Sequence, residues 1–396
     1  MGDAMPDFLP YGRQTIEADD VAAVAAALTD DYLTTGPRVE AYEAAFAQAA
    51  GAAHAVASNS GTAALHLPLL ALGLGPGEAV VVPSITFVAT ANVVRMTGAE
   101  VVFADVDPMT GLMTPDTLRA ALAETPPAGT RIVGAMPVHL NGQLCDMAGL
   151  GALAAERGLW LVEDACHAIG AAAAGACRHS RAAAFSTHPV KGITTGEGGV
   201  TTTADPALAD HMRRLRSHGL VREPASFMRP DMAFEDGQTQ PWYYELPEIG
   251  WNYRIPDVLC ALGLSQLAKL PRLHARRAHL AGLYARLVAP LAPGIALVPR
   301  GERPDGWHLL VALIDFARFG TTRAQVMAAL RREAIGTQVH YIPVHEQPYY
   351  RDRYGPRRLA GADAYYARCL SLPFFPQMTD DDVARVAAAL KRSVGA

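Results

Sequence analysis

Apolar positions along the chain follow two alternating patterns. Short apolar runs at Ala79–Val82, Glu100–Ala104, Arg131–Val138 and Leu159–Val162 predict strands. Stretches with helical spacing lie between them, from Val88 to about Thr97 and over 115–123. Upstream, a helix is expected from Thr15 to about Ala27. A turn at Tyr32–Pro37 precedes a second helix carrying Val39, Tyr42, Phe46 and Ala50, then a strand at His54–Ser58 and a helix through Leu74. Repeated strand-then-helix units predict a mostly parallel sheet covered by helices, and ligands in such sheets bind beyond the carboxyl ends of the strands.

After residue 200 the pattern changes. An Arg-bearing helix leads to Ser217–Leu220 and then to an aperiodic stretch over 221–250 with clustered aromatics, Pro241-Trp242-Tyr243-Tyr244-Glu245. Long loops of this kind tend to be functional, and aromatics argue against disorder. Helices are expected over the Leu259, Leu262, Leu267, Leu270 register, over 272–290 and from about 322. Strands are expected near 296–299 and 307–314, with a strand running into a loop over Gln338–His345. At 396 residues the chain suits two domains, and the expected division is a large one over 1–255 and a smaller C-terminal α+β one over 256–396.

Composition narrows the function. A net charge of −5 without long basic runs argues against nucleic acid or anionic membrane as the main partner. The arginine groups Arg213, Arg214, Arg216 and Arg272, Arg276, Arg277 read as solvated helix faces. Five scattered cysteines, with no C-x-x-C pair, suit a reduced cytosol and no metal site. The segment Met1–Asp7 lacks the basic start and apolar core of a signal peptide, and no apolar run is long enough to span a bilayer, so a cytoplasmic protein is expected.

The candidate chemistry gathers at the predicted strand ends. Lys191 sits among small and apolar residues before a glycine-rich turn, where a desolvated lysine could form a Schiff base with a carbonyl. An isolated lysine is ordinarily a solvated surface residue. Ser60, Gly61 and Thr62 follow a strand and open a helix, an arrangement that either cradles a phosphate or simply caps the helix. Asp164 ends a strand, where a carboxylate can partner a pyridine nitrogen or form a turn. Phe87, also at a strand end, is either core or a face for ring stacking. The loop His139–Gln143 lies at the same predicted rim.

The sequence Ser186, His-Pro-Val-Lys at 188–191 and Thr-Thr-Gly-Glu-Gly-Gly at 194–199, with Glu163-Asp164-Ala165-Cys166-His167 upstream, resembles the cofactor signature of the DegT/DnrJ/EryC1/StrS aminotransferases. Residue 187 is Thr where that family often has an aromatic. The resemblance spans about residues 8–392. It implies a pyridoxal-phosphate transferase of fold type I, aspartate aminotransferase-like, that passes through pyridoxamine phosphate. By the same resemblance Lys191 is the Schiff-base lysine and Asp164 the partner of the ring nitrogen. Ser60, Gly61, Thr62 and Ser186 bind the phosphate, Phe87 stacks on the ring, and His167 lies near its phenolic side. Asn252 reaches the cofactor phosphate of the other subunit of a homodimer. Thr34, His188, Tyr243, Tyr253, Arg254, His340 and Tyr341 are the substrate-binding candidates it suggests.

Pro-Trp-Tyr-Tyr-Glu at 241–245, Trp-Asn-Tyr-Arg at 251–254 and His-Tyr-Ile-Pro-Val-His at 340–345 look most like the pseudaminic-acid branch. That branch implies amination of C4 of a UDP-linked 4-keto-6-deoxy-N-acetylhexosamine with glutamate as donor, for surface glycan or flagellin glycosylation. Other keto-sugars, of perosamine or bacillosamine type, are alternatives. A dehydratase branch carries histidine in place of the lysine, so Lys191 speaks against it. A non-catalytic regulator is disfavoured by the lack of a basic DNA-binding segment.

Overall fold

The computed structural model describes residues 7–127, 129–171, 174–301 and 306–395; most of the N-terminal segment read above for a signal lies outside the described residues. Seven strands form the main sheet: β1 (His54–Ser58), β2 (Glu78–Pro83), β3 (Glu100–Ala104), β4 (Arg131–Ala135), β5 (Trp160–Asp164), β6 (Ala182–Ser186) and β7 (Gly199–Thr203). Their order is β1-β7-β6-β5-β4-β2-β3, parallel except that β7 runs antiparallel to both β1 and β6. The expected α/β architecture is therefore present, and β2, with Val80, Val81 and Val82 all fully buried, reads as apolar because both faces are covered. A two-stranded ribbon, β8 (Phe234–Glu235) with β9 (Gln238–Thr239), sits inside the aperiodic stretch. Strands β10 (Ile295–Leu297), β11 (Leu310–Ile314) and β12 (Cys369–Leu372) make a second, antiparallel sheet.

Strand β7 escapes a pattern search because it is Gly-Val-Thr-Thr-Thr. Its threonines are buried, and their hydroxyls are satisfied internally. Thr201 donates to the Ala64 carbonyl at 2.6 Å, Thr202 to that of Gly175 at 2.8 Å and Thr203 to that of Arg181 at 2.7 Å. Burying three hydroxyls is tolerable only with such partners.

Two expected elements differ. The helices anticipated on either side of residue 271 are one helix, Asp257–Val288, of 32 residues with Pro271 inside. A proline there removes one hydrogen bond, but Leu267, Leu273, Leu280 and Tyr284 keep one buried stripe running through it, and packing overrides local preference. The strand expected at 338–345 is a loop with a single bridge, Gln338 to Ser371, followed by a short 3₁₀ turn at Val344–Glu346. Pro343 explains this, since it has no N–H to give a ladder.

The core is continuous between the two sheets. Phe103 and Val82 of the main sheet share a cluster with Val311, Leu313, Tyr365 and Cys369 of the C-terminal part. The far side of the small sheet packs Leu310, Ala312 and Leu372 on Leu280 and Tyr284 of the long helix. Among the described residues no helix is long and apolar enough to cross a membrane.

Candidate active site

A cavity of about 640 Å³ opens at the carboxyl ends of β5 and β6. One wall is the start of the helix Gly61–Ala71. Ser60 is its N-cap, with Oγ accepting the Ala63 N–H at 3.1 Å. That leaves the amides of Gly61 and Thr62, the first two helical positions, without a carbonyl partner inside the helix and at its positive end. Both sequence readings of this turn therefore hold together: it is capped, and it presents donors suited to a phosphate. Ser186, at the end of β6, closes the other side. A Cβ on Gly61 would lie 2.8 Å from Cβ and 2.9 Å from Oγ of Ser186, so glycine is what keeps this cradle open. Gly199 serves the same geometry, because a Cβ there would lie 2.4 Å from the Ser60 carbonyl oxygen.

Asp164 ends β5 and is only 5% exposed. Its Oδ2 accepts from the Thr90 hydroxyl at 2.6 Å and its Oδ1 from the Cys166 N–H at 3.1 Å. Thr90 is itself bonded to Thr86 at 2.7 Å. The carboxylate thus has a fixed orientation at the cavity wall. The turn reading survives as part of the same geometry, through the bond to the amide two residues on.

Lys191 follows β6 on a loop that the rest of the molecule pins. The Thr187 carbonyl accepts the Thr195 N–H at 2.9 Å and the Thr194 hydroxyl at 3.2 Å, and the Thr187 and Thr195 hydroxyls meet at 2.6 Å. The Lys191 and Gly192 carbonyls accept from Arg277 at 3.3 and 3.4 Å. Arg277 was expected on a solvated face, but it is 3% exposed, and burial pushes its pKa down to about 10. The long helix carries it to the underside of the lysine loop, which its local charge pattern does not reveal. Burial also lowers the Lys191 ammonium below the ordinary lysine range, with Cys166 and Asp164 pulling the other way. A lysine lowered in this way is better placed to react as the free amine.

His167 and His340 also line the cavity. His167 accepts the Asn141 N–H on Nδ1 at 3.3 Å, and its Nε2 is 3.1 Å from the Tyr341 hydroxyl. Burial, then repulsion from Lys191 and His340, holds His167 well below the usual histidine range. Burial likewise brings His340 down to about 3, and its Nδ1 lies 2.7 Å from the Ser371 hydroxyl. Phe87 is 56% exposed at the cavity and so is not a core residue.

Of the residues singled out from sequence, Ser60, Gly61, Thr62, Phe87, Asp164, His167, Ser186, His188, Lys191, His340 and Tyr341 all line this cavity. Five lie outside it. Thr34 is exposed on its turn, and Asn252 is exposed with its carbonyl accepting from Asn59 at 3.2 Å. Tyr253 bonds His66 at 3.1 Å, and Tyr243 donates to Glu245 at 2.9 Å. Arg254 lines a separate cleft of about 200 Å³ with Gly36 and Arg216. Sequence reading missed Thr90, whose only signal is its four-residue spacing from Thr86 at a helix start. It also missed Tyr11, a cavity-lining residue that no local pattern marks.

A donor-rich cradle held open by glycine, a buried hydrogen-bonded carboxylate and a lysine of lowered pKa fit pyridoxal phosphate, whose phosphate, ring nitrogen and aldehyde need those three partners. The DegT/DnrJ/EryC1/StrS aminotransferase family model matches residues 14–391. The chain is similar in structure to Helicobacter pylori PseC, an aminotransferase involved in the biosynthesis of pseudoaminic acid. The TM-score is 0.86 at 26% identity, covering 98% of this chain and 99% of that one. DesI, solved in the presence of its TDP-sugar product, gives 0.84 at 32% identity over 99% and 95% of the two chains. Streptococcus pneumoniae Spr1654 in its PMP form shares the fold, with 0.86 at 24% identity over 98% and 99%. With these likenesses added to the site, the chain belongs to the DegT/DnrJ/EryC1/StrS aminotransferase family and is a pyridoxal-phosphate-dependent sugar aminotransferase.

Proposed function

We propose that the protein moves an amino group from glutamate to C4 of a UDP-linked 4-keto-6-deoxy-N-acetylhexosamine, as a cytoplasmic homodimer with shared active sites. The observation that carries the chemistry is the meeting of Lys191, Asp164 and the 60–62 cradle at one cavity. The likeness to PseC supports the choice of sugar. The likeness to DesI favours a second reading, a TDP-linked keto-sugar. Five unpaired thiols are in keeping with the cytoplasm. In this reading residues 1–255 hold the cofactor and residues 256–396 cover it.

When bound, the cofactor supplies a carrier for the amino group and an electron sink for the carbon that loses its proton. The residues do the rest. Asp164, fixed by Thr90 and the Cys166 amide, would hold a proton at the ring nitrogen. The Gly61 and Thr62 amides with Ser186 would bind the phosphate, and Phe87 would lie against the ring. Lys191, favoured as the free amine by its burial, takes the proton from Cα of glutamate and later returns one to C4 of the sugar.

Exposed apolar side chains support the dimer. Met228, Trp242, Tyr244, Leu246 and Ile249, all on the 221–250 stretch, lie open to solvent, with Trp242 at 71% and Ile249 at 81%. A single chain has no use for such a patch, and the neighbouring Asn252, Tyr253 and Arg254 stand off their own cavity. The test is product analysis with glutamate and matched UDP- and TDP-linked 4-keto sugars. A C4 amino-sugar from the UDP substrate supports the reading, amination of the TDP substrate alone transfers it to the second, and a deoxy-keto product refutes both.

A further inference from the structure

The ring nitrogens of His167 are both committed, and their roles can be told apart. The Asn141 N–H donates to Nδ1 at 3.3 Å, so Nδ1 carries no proton. Burial, with repulsion from Lys191 behind it, keeps the ring neutral. Its one proton therefore sits on Nε2, 3.1 Å from the Tyr341 oxygen, and that oxygen must accept. The phenol's own proton is then turned away from His167, and among the described residues no group accepts it.

Asn141 holds this arrangement in place. Its φ of 62° is a left-handed conformation that asparagine tolerates, and its side chain donates to the buried Tyr365 hydroxyl at 3.1 Å. Tyr341 meanwhile lines the cavity, its ring centroid 6.0 Å from that of Phe87. It belongs to the 338–347 segment with Gln338, Ile342 and Gln347, apart from the strand ends that carry Asp164 and Ser186. Burial, with Asp164 adding to it, raises the phenol well above the usual tyrosine range, so it keeps its proton at neutral pH.

We propose that Tyr341 gives its proton to the carbonyl oxygen of the keto substrate, and that His167 is the positioning residue that sets the polarity of the pair. The proposal rests on the transaminase reading above. When an amine nitrogen condenses with C4, a C–N bond forms and the C–O bond breaks. The oxygen gains two protons and leaves as water, one of them delivered by Tyr341. The nitrogen loses two, and one of these restores the phenol. No oxidant or further reactant is needed. Release of 2-oxoglutarate in the first half-reaction runs the same exchange in reverse.

The test combines single-turnover kinetics of each half-reaction with nitrogen-15 spectra of the histidine rings in the full-length holoenzyme without substrate. Tyr341→Phe, which removes one oxygen and leaves the ring in place, should lower the rate of both half-reactions by about 10²-fold or more. It should leave the resting cofactor absorbance and the KM for the sugar near their original values. His167→Gln, whose amide N–H can still donate to Tyr341, should keep most of the activity, whereas His167→Leu should fall to the level of Tyr341→Phe. The spectra should show His167 protonated on Nε2. The proposal is overturned by Tyr341→Phe turning over within about threefold of the original protein, by a proton on Nδ1, or by a shifted resting absorbance, which would assign the phenol to the cofactor. If no nucleotide sugar is aminated, the functional reading fails alone, because the histidine spectra and the glutamate half-reaction still decide the role of Tyr341.

Discussion

Two regions carry the predicted site residues, and they are built in opposite ways. At the ends of β5 and β6, Asp164 and Ser186 are buried, and the adjoining Lys191 loop is tied down by Thr187, Thr195 and Arg277. The 221–254 arm is the reverse. Its framework depends on Glu245, which accepts from the Met228 and Arg229 amides at 2.6 and 2.7 Å and from Tyr243 at 2.9 Å, while its large apolar side chains stay exposed. The first region brings its side chains together within one chain. The second exposes an apolar patch that the proposed dimer would cover.

The sharpest way to break the first region is Lys191→Ala, which should lower turnover at least about 10³-fold in steady-state assays. Asp164→Asn should cost roughly 10²-fold in kcat, because an amide keeps the shape but not the charge that holds a proton at the ring nitrogen. Asn252→Ala probes the second region. It should weaken cofactor binding about tenfold, through loss of one hydrogen bond to a charged group, in an absorbance titration. Mixing the Lys191→Ala and Asn252→Ala proteins discriminates further. If Asn252 serves the neighbouring subunit, half of the sites in each hybrid dimer are intact, and refolding an equal mixture should restore about a quarter of the activity when assayed at a cofactor concentration too low to fill the Asn252→Ala sites. A mixture no better than its parents would place Asn252 in its own subunit's site.

The smallest effect is on stability. Burial holds the Lys191 ammonium below its unfolded-state pKa, so between the two values the unfolded chain binds more protons and stability rises with pH. Lys191→Met should therefore raise the melting temperature of the cofactor-free protein at neutral pH, and the gain should shrink as pH rises towards the ordinary lysine pKa. A gain independent of pH would show that the buried charge is not its source.

What the sequence made legible follows from the same contrast. Apolar runs mark β2 to β5 because both faces of the sheet are covered, and the strand-end residues Asp164 and Ser60 are readable because function there is local to a strand and the turn after it. Strand β7 was not legible, since buried threonines look polar until their hydroxyl partners are known. Arg277 was not legible either, because it meets the lysine loop from a helix 86 residues later. Tyr341 could be named as a candidate, but the direction of its hydrogen bond depends on an amide at Asn141. Thr34, Tyr243, Tyr253 and Arg254 were named from the family resemblance alone, and within this chain they stand outside the cavity.

The most direct measurement is the absorbance spectrum of the purified protein before and after glutamate, and again after a UDP-linked 4-keto sugar. The account predicts a visible band of lysine-bound pyridoxal phosphate, absent in Lys191→Ala, that glutamate replaces with the pyridoxamine band and the sugar restores. Cofactor that remains covalently attached to Lys191→Ala after borohydride reduction and washing, or a visible band that glutamate leaves unchanged, would contradict it.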